Sequence, residues 1–110
     1  MREMTRKEEQ ILLAIHRLDD NAYLITIREQ IHNYTGKYYS VGTIYAPLNR
    51  LDIKGYIEAR TGNAGGFGSK KPIKYYHLTP KGYQALRKLR ELYHRMWNGL
   101  ELSLCEEVSS

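Results

Sequence analysis

The run Gly62-Asn63-Ala64-Gly65-Gly66-Phe67-Gly68-Ser69 constrains the fold more than any other part of this chain. Glycine loses more backbone freedom on ordering than any other residue, so a run this rich in it suits neither a helix nor a strand interior. Lys70-Lys71-Pro72 extends the break, because proline lacks a backbone donor. Segments with strand character lie on either side. Tyr56-Ile57-Glu58-Ala59-Arg60 alternates as a half-buried strand does, and Ile73 to Leu78 is a second strand rich in tyrosine. Two strands joined by a long glycine-rich tip form an open hairpin.

Helical patterns surround the hairpin. Thr5 and Glu8 have capping-box spacing, and Ile11, Leu12, Ile15 and Leu18 then keep a helical period until Asp19-Asp20-Asn21 opens a turn. The same grammar places a second helix behind Thr26 and Glu29, with Ile27, Ile31 and Tyr34 inward and Gly36 as a left-handed cap. Ser40 is the expected N-cap of a third helix. Its inner face reads Val41, Ile44, Tyr45, Leu48 and Leu51, its outer face Thr43, Ala46, Asn49 and Arg50, and Gly55 is its stop. Pro47 removes one helical hydrogen bond and favours a bend or an irregular first turn. After the hairpin, Thr79-Pro80 caps and opens a last helix expected to reach about Leu104. Tyr75-Tyr76 should split, one ring packed and one exposed.

With 110 residues, 42% of them apolar, the chain makes one modest core and not two. No apolar run approaches the roughly 18 residues that span a bilayer. The first eight residues lack the apolar stretch of a secretory signal, and a single cysteine, Cys105, excludes an internal disulfide. A cytoplasmic protein with no membrane partner is the expectation.

The location of the +5 net charge says more than its size. Between Ser40 and Gly82 seven basic residues (Arg50, Lys54, Arg60, Lys70, Lys71, Lys74, Lys81) face two acids, Asp52 and Glu58, so this segment holds the whole excess. A basic region within an otherwise neutral chain suits a polyanion. The order of three helices, strand, basic hairpin, strand and long helix is mainly α with a small β-hairpin. It is that of a winged helix-turn-helix whose third helix enters the major groove of double-stranded DNA. On this reading Ser40, Gly42 and Thr43 approach DNA at the start of the third helix. Lys37, Tyr38 and Tyr39 precede them, Asn49 and Arg50 follow, and Lys70, Lys71 and Lys74 on the wing contact phosphates. Tyr45 fits a DNA contact and core packing equally.

The residues Ser40-Val41-Gly42-Thr43-Ile44-Tyr45-Ala46-Pro47-Leu48-Asn49-Arg50-Leu51 resemble the recognition-helix signature of the PadR family of transcriptional regulators. Gly55-Tyr56-Ile57 is similar to the family's entry to its first wing strand. Lys74-Tyr75-Tyr76-His77-Leu78-Thr79-Pro80-Lys81-Gly82 is similar to its wing exit. Three blocks in register are a specific match. The chain departs from the pattern in placing its proline one position later, in carrying Asp52 in place of glutamate, and in having a longer wing built on lysine. The resemblance implies a homodimer joined through the C-terminal helix. It also implies, for the short members, a repressor whose flat aromatic effector binds between subunits.

The last helix supports the dimer independently. Leu86, Leu89, Tyr93, Met96, Trp97 and Leu100 give it more apolar surface than a small domain can cover. Tyr93 and Trp97 are four apart on one face, which fits an interface core or an aromatic effector slot. The expected division is residues 1–79 as DNA-binding domain, 80–105 as dimerisation helix and 106–110 as a flexible tail. An alternative assigns the winged helix to protein interaction, through Tyr38, Tyr39 and the tyrosine-rich wing. No enzyme is expected. His16, His32, His77 and His94 are scattered without metal-ligand spacing. Cys105 lacks a base nearby, and the glycine-rich run leads into a strand, unlike a phosphate loop. No catalytic residue, metal or cofactor is assigned.

Overall fold

The computed structural model describes residues 4–62 and 72–98. The elements are α1 (Arg6–Leu18), a short 3₁₀ turn (Asp19–Asn21), α2 (Leu24–Thr35), α3 (Val41–Ile53), β1 (Ile57–Gly62), β2 (Ile73–Leu78) and α4 (Pro80–Trp97). The two strands pair antiparallel, with Ile57 opposite Leu78 and Gly62 opposite Ile73. The expected hairpin and helix order are therefore present. Strand β1 starts one residue later than the alternation suggested.

Most helix ends follow local chemistry. The amide of Glu8 donates to Thr5 Oγ1 and the amide of Thr5 donates to Glu8 Oε1, both at 3.1 Å, which closes the capping box of α1. Ser40 Oγ accepts from Thr43 N at 3.1 Å and Thr79 Oγ1 from Gly82 N at 3.1 Å. Gly36 at φ 75° and Gly55 at φ 82° take left-handed turns that a Cβ would resist.

Helix α2 departs from the expectation. It starts at Leu24, so Thr26 lies in its first turn and does not cap it. The Thr26 hydroxyl faces backwards instead. It accepts from Tyr23 N at 2.9 Å and donates to Asn21 O at 2.6 Å. Tyr34, expected inward, is exposed because the buried stripe of α2 stops at Ile31.

The core forms where α1 (Ile11, Leu12, Ala14, Ile15), α2 (Ile27, Ile31) and α3 (Ile44, Leu48, Leu51) meet, closed by Ala22, Ile57 and Tyr76. Each large aliphatic side chain buried there stabilises the fold by about 1.5–3 kcal/mol before entropy is counted. Tyr76 also ties the wing to the bundle, since its amide donates to Ala22 O at 2.8 Å. Burial pushes the Tyr76 phenol above the usual tyrosine range. Tyr75, expected to be exposed if Tyr76 is packed, is instead half-buried, because its ring packs edge-on against Tyr23.

Helix α3 runs through Pro47, which is itself buried among Ile44, Leu48 and Leu51. Proline removes the N–H that would bond the carbonyl of Thr43, and Thr43 is exposed, so water can take that carbonyl. Val41 and Tyr45 were expected on the inner face and are exposed, Tyr45 to 47%. The buried stripe is Ile44, Pro47, Leu48 and Leu51, and Val41 and Tyr45 lie at its edge, where the neighbouring helices leave them open.

The start of α4 is locked onto the α3–β1 turn. Thr79 Oγ1 donates to Gly55 O at 2.6 Å, and Thr79 N to Tyr56 O at 3.1 Å. Gly82 lies so close that a Cβ built on it would stand 2.2 Å from Tyr56 O. Helix α4 ends at Trp97, where Asn98 takes an extended ψ of 121°. The expected continuation to Leu104, together with Leu100 and the tail, lies outside the described residues. Among the described residues no helix is long and apolar enough to cross a membrane.

Candidate nucleic-acid interface

The exposed start of α3 is the centre of the site. Ser40 is committed to capping, and its hydroxyl also meets Thr43 Oγ1 at 2.7 Å. Both groups therefore present a hydrogen-bonded pair at the helix tip. Gly42, between them, is exposed, and nothing lies within 4 Å of where its Cβ would stand. Small residues and free amides at a helix start let a phosphate or base edge approach the backbone closely. Tyr45, Asn49 and Arg50 continue the same exposed surface along the helix.

The segment before α3 is held by residues that the sequence did not single out. Arg28 on α2 donates from Nε to Tyr39 O, and its guanidinium carbon lies 5.3 Å from the centre of the Tyr38 ring. The Tyr38 ring stacks on His32 with centroids 3.7 Å apart and planes at 10°. Tyr38 nonetheless stays 64% exposed, so it is oriented without being buried. The Lys7 ammonium sits 3.2 Å above the Tyr39 ring. Lys7 holds the Tyr39 phenol below the ordinary tyrosine value, and Lys37 adds to the effect. Lys37 itself is exposed, with its amide on Thr35 Oγ1 at 3.2 Å. Arg28 and His32 are one helical turn apart on one face of α2, a spacing visible in the sequence. Nothing local shows that the loop folds back upon them.

On the wing Lys74 is exposed opposite Thr61, and Arg60 is exposed with Glu58 at 3.3 Å. Lys70 and Lys71 lie outside the described residues. Two other basic residues of this region serve the fold. Lys54 pairs with the buried Glu8 at 3.4 Å. Lys81 donates to Lys54 O at 2.6 Å and lies 4.7 Å from the Tyr56 ring centre. Burial pushes the Glu8 carboxyl up, but the Thr5 hydrogen bonds and Lys54 outweigh it and hold its pKa below the ordinary value.

A second feature lies between α1 and α4. A groove of about 560 Å³ is lined by Arg6, Glu9, Arg90, Tyr93, His94, Trp97 and Asn98. Tyr93 is half-buried, and its hydroxyl donates to Glu9 Oε2 at 2.7 Å. Leu86 and Leu89 are half-buried beside it, whereas Met96 and Trp97 are 63% and 49% exposed. Tyr93 and Trp97 therefore share one groove, as their spacing suggested. Among the described residues no cluster of three or more histidines, cysteines and carboxylates could hold a metal ion.

Comparison with known proteins gives this geometry a family. The model of the transcriptional regulator PadR-like family matches residues 11–88, well over half the chain. The crystal structure of a PadR family transcriptional regulator from Eggerthella lenta DSM 2243 superimposes with a TM-score of 0.67 at 25% identity, covering 90% of this chain and 84% of that one. A PadR-like transcription factor from Bacteroides fragilis gives 0.71 at 25% identity, over 87% and 90% of the two chains. A PadR-like transcriptional regulator from Bacillus cereus strain ATCC 14579 gives 0.67 at 21% identity, over 94% and 91%. No curated protein matches the chain. The chain belongs to the PadR-like family of transcriptional regulators, with their winged helix fold, and is a DNA-binding regulator of transcription.

Proposed function

We propose that this chain acts as a homodimer that represses transcription by occupying a promoter, and that an aromatic effector relieves it. Residues 1–79 hold the DNA-binding unit and 80–105 the dimerisation helix, with 106–110 as a tail. In each protomer the start of α3 enters the major groove. Ser40, Gly42 and Thr43 approach base edges or phosphates, and Tyr45, Asn49 and Arg50 extend the contact along the helix. Lys37, Tyr38 and Tyr39 contact the backbone beside it, and Lys70, Lys71 and Lys74 hold phosphates from the wing. The observation that carries this reading is the exposed start of α3, where Gly42 has open space around it and Tyr38 is held exposed before it. Sequence-specific binding uses base edges, whereas the lysines supply affinity that falls with salt.

The dimer joins through α4. Met96 and Trp97 are large, apolar and exposed, Leu86 and Leu89 lie half-buried on the same helix, and the expected interface residue Leu100 lies outside the described residues. A patch of this kind normally marks an interface. A planar aromatic effector occupies the space at Tyr93 and Trp97 between subunits. Selection of binding duplexes from a random-sequence pool tests the DNA reading, followed by affinity measurements over a salt series. Recovery of an inverted repeat bound by a dimer is the expected result, and failure to bind any duplex at low salt would remove it. Charge reversal at Lys70 and Lys71 separates this function from protein interaction, because only DNA binding should fall steeply with it. Quenching of Trp97 fluorescence by planar aromatic compounds tests the effector.

A further inference from the structure

The first turn of α1 touches three things that the function requires to communicate. Its four consecutive residues are Arg6, Lys7, Glu8 and Glu9. Arg6 and Glu9 line the groove under Trp97, and Glu9 accepts the Tyr93 hydroxyl at 2.7 Å. Lys7 lies 3.2 Å above the ring of Tyr39, the residue directly before the Ser40 cap of α3. Glu8 holds Lys54, the residue at the other end of α3, at 3.4 Å. One helical turn thus grips both ends of the recognition helix and one wall of the groove.

That turn is also stiff. The capping box with Thr5 fixes its first backbone amides, and it uses Glu8 Oε1, leaving Oε2 for Lys54. Glu8 is 2% exposed, so its carboxylate cannot exchange Lys54 for water without opening the core. A turn that cannot deform locally moves as a unit, and packed elements shift between discrete arrangements in preference to stretching.

We infer that the first turn of α1 is a relay, through which a change at the Tyr93–Glu9 contact in the groove alters the position of α3 and so the affinity for DNA. This rests on the reading of α3 as the recognition helix. Lys7 and Glu8 are positioning residues and need touch neither DNA nor effector, whereas Glu9 lines the groove itself. Coupling of this kind is a free energy linking two sites, and it requires each site to bias one shared element.

A mutant cycle in the full chain tests the relay without any effector. The probe is the duplex that the wild-type chain selects from a random-sequence pool, with affinity read by fluorescence anisotropy. Tyr93→Phe removes the hydrogen bond to Glu9 and keeps the ring. It should weaken DNA binding by about threefold or more, the scale of one lost hydrogen bond. The slope of affinity against salt should stay unchanged, because no phosphate contact is lost. In a chain already carrying Lys7→Met and Lys54→Met, the same Tyr93→Phe change should alter affinity by less than about 1.5-fold. Glu9→Ala, which removes the acceptor and keeps Tyr93, serves as a second variant should Tyr93→Phe lower the melting temperature. An equal effect of Tyr93→Phe in both backgrounds, or no effect in either, overturns the relay. Arg50→Ala with Lys74→Ala distinguishes the underlying reading. If that pair leaves affinity intact, the DNA surface is elsewhere and the relay falls with it. If the pair abolishes binding while the cycle is additive, the relay alone is wrong.

Discussion

Gly42→Ala separates what α3 needs to fold from what it needs to bind. A Cβ at Gly42 meets nothing within 4 Å, and the backbone there carries no positive φ. The free protein therefore accepts the methyl group without strain. Alanine also loses less backbone entropy than glycine in a helix, by roughly 0.5–1 kcal/mol, so the variant should be more stable. Near the helix start the lower figure applies, and the melting temperature should rise by about 2–4 °C. DNA binding should respond in the opposite direction. Gly42 lies between the Ser40 cap and Thr43, on the tip expected to approach base edges, so the methyl occupies space that DNA must fill. Overfilling a close-packed contact costs about 1–3 kcal/mol, which is roughly 5- to 150-fold in affinity. The salt slope should not change, since no charge is removed. Thermal melting and a salt series of anisotropy titrations on one preparation measure all three quantities. Wild-type affinity in a stabilised Gly42→Ala chain would falsify the placement of this turn against DNA.

Other sites give predictions of different kinds. Gly82→Ala should destabilise the fold by about 1–3 kcal/mol and lower the melting temperature by roughly 4–8 °C per kcal/mol, because its Cβ would stand 2.2 Å from Tyr56 O. An unchanged melting curve would mean that α4 shifts off the α3–β1 turn without penalty. Glu8 has a folded pKa below its ordinary value of 4.5, so the stability it contributes is present above that value and is lost as pH falls through the folded pKa. Glu8→Gln should flatten this acid limb of a stability–pH curve and reduce stability near neutrality by about 1–3 kcal/mol, and a limb of unaltered shape would assign acid sensitivity to other groups. Trp97→Ala with Met96→Ala should weaken the dimer by at least about 2 kcal/mol, or some thirtyfold, in sedimentation. Unchanged dimerisation would move the interface off the end of α4.

The parts of the fold that were legible in the sequence rest on local rules. Thr5 with Glu8, Ser40, Gly36 and Thr79-Pro80 each set a helix end through groups only a few residues apart. Thr26 misled because its hydroxyl can serve the amides behind it or those ahead. The choice depends on how Asn21 to Tyr23 enter the helix, which no spacing records. Val41 misled for another reason, and Tyr45, whose period fitted a DNA contact and core packing equally, came out exposed for the same one. Helical period assigns a residue to a face, but how much of that face is buried depends on how far the neighbouring helices cover it. The same applies to Tyr34 at the close of α2.

The family's DNA-binding function was legible in the sequence, whereas the packing around the start of α3 was not. The basic excess between Ser40 and Gly82 pointed correctly to a DNA-binding protein, yet two of the lysines counted there serve the fold. Lys54 neutralises a buried carboxylate, and Lys81 caps the end of α3. In their place stand Lys7, Arg28 and Lys37, none of them within that segment, whose charges gather around Tyr38 and Tyr39 through the folding of α1 and α2. Charge along a sequence and charge on a surface are thus different quantities. They agreed in sign here because the wing residue Lys74 and Arg50 remain exposed, while Lys7 of α1, Arg28 of α2 and Lys37 of the loop before α3 add positive charge beside them. Contacts such as Glu8 to Lys54 and Glu9 to Tyr93 span 46 and 84 residues. No pattern of a few residues encodes them, and together with the first turn of α1 they link the α4 groove to the end of α3.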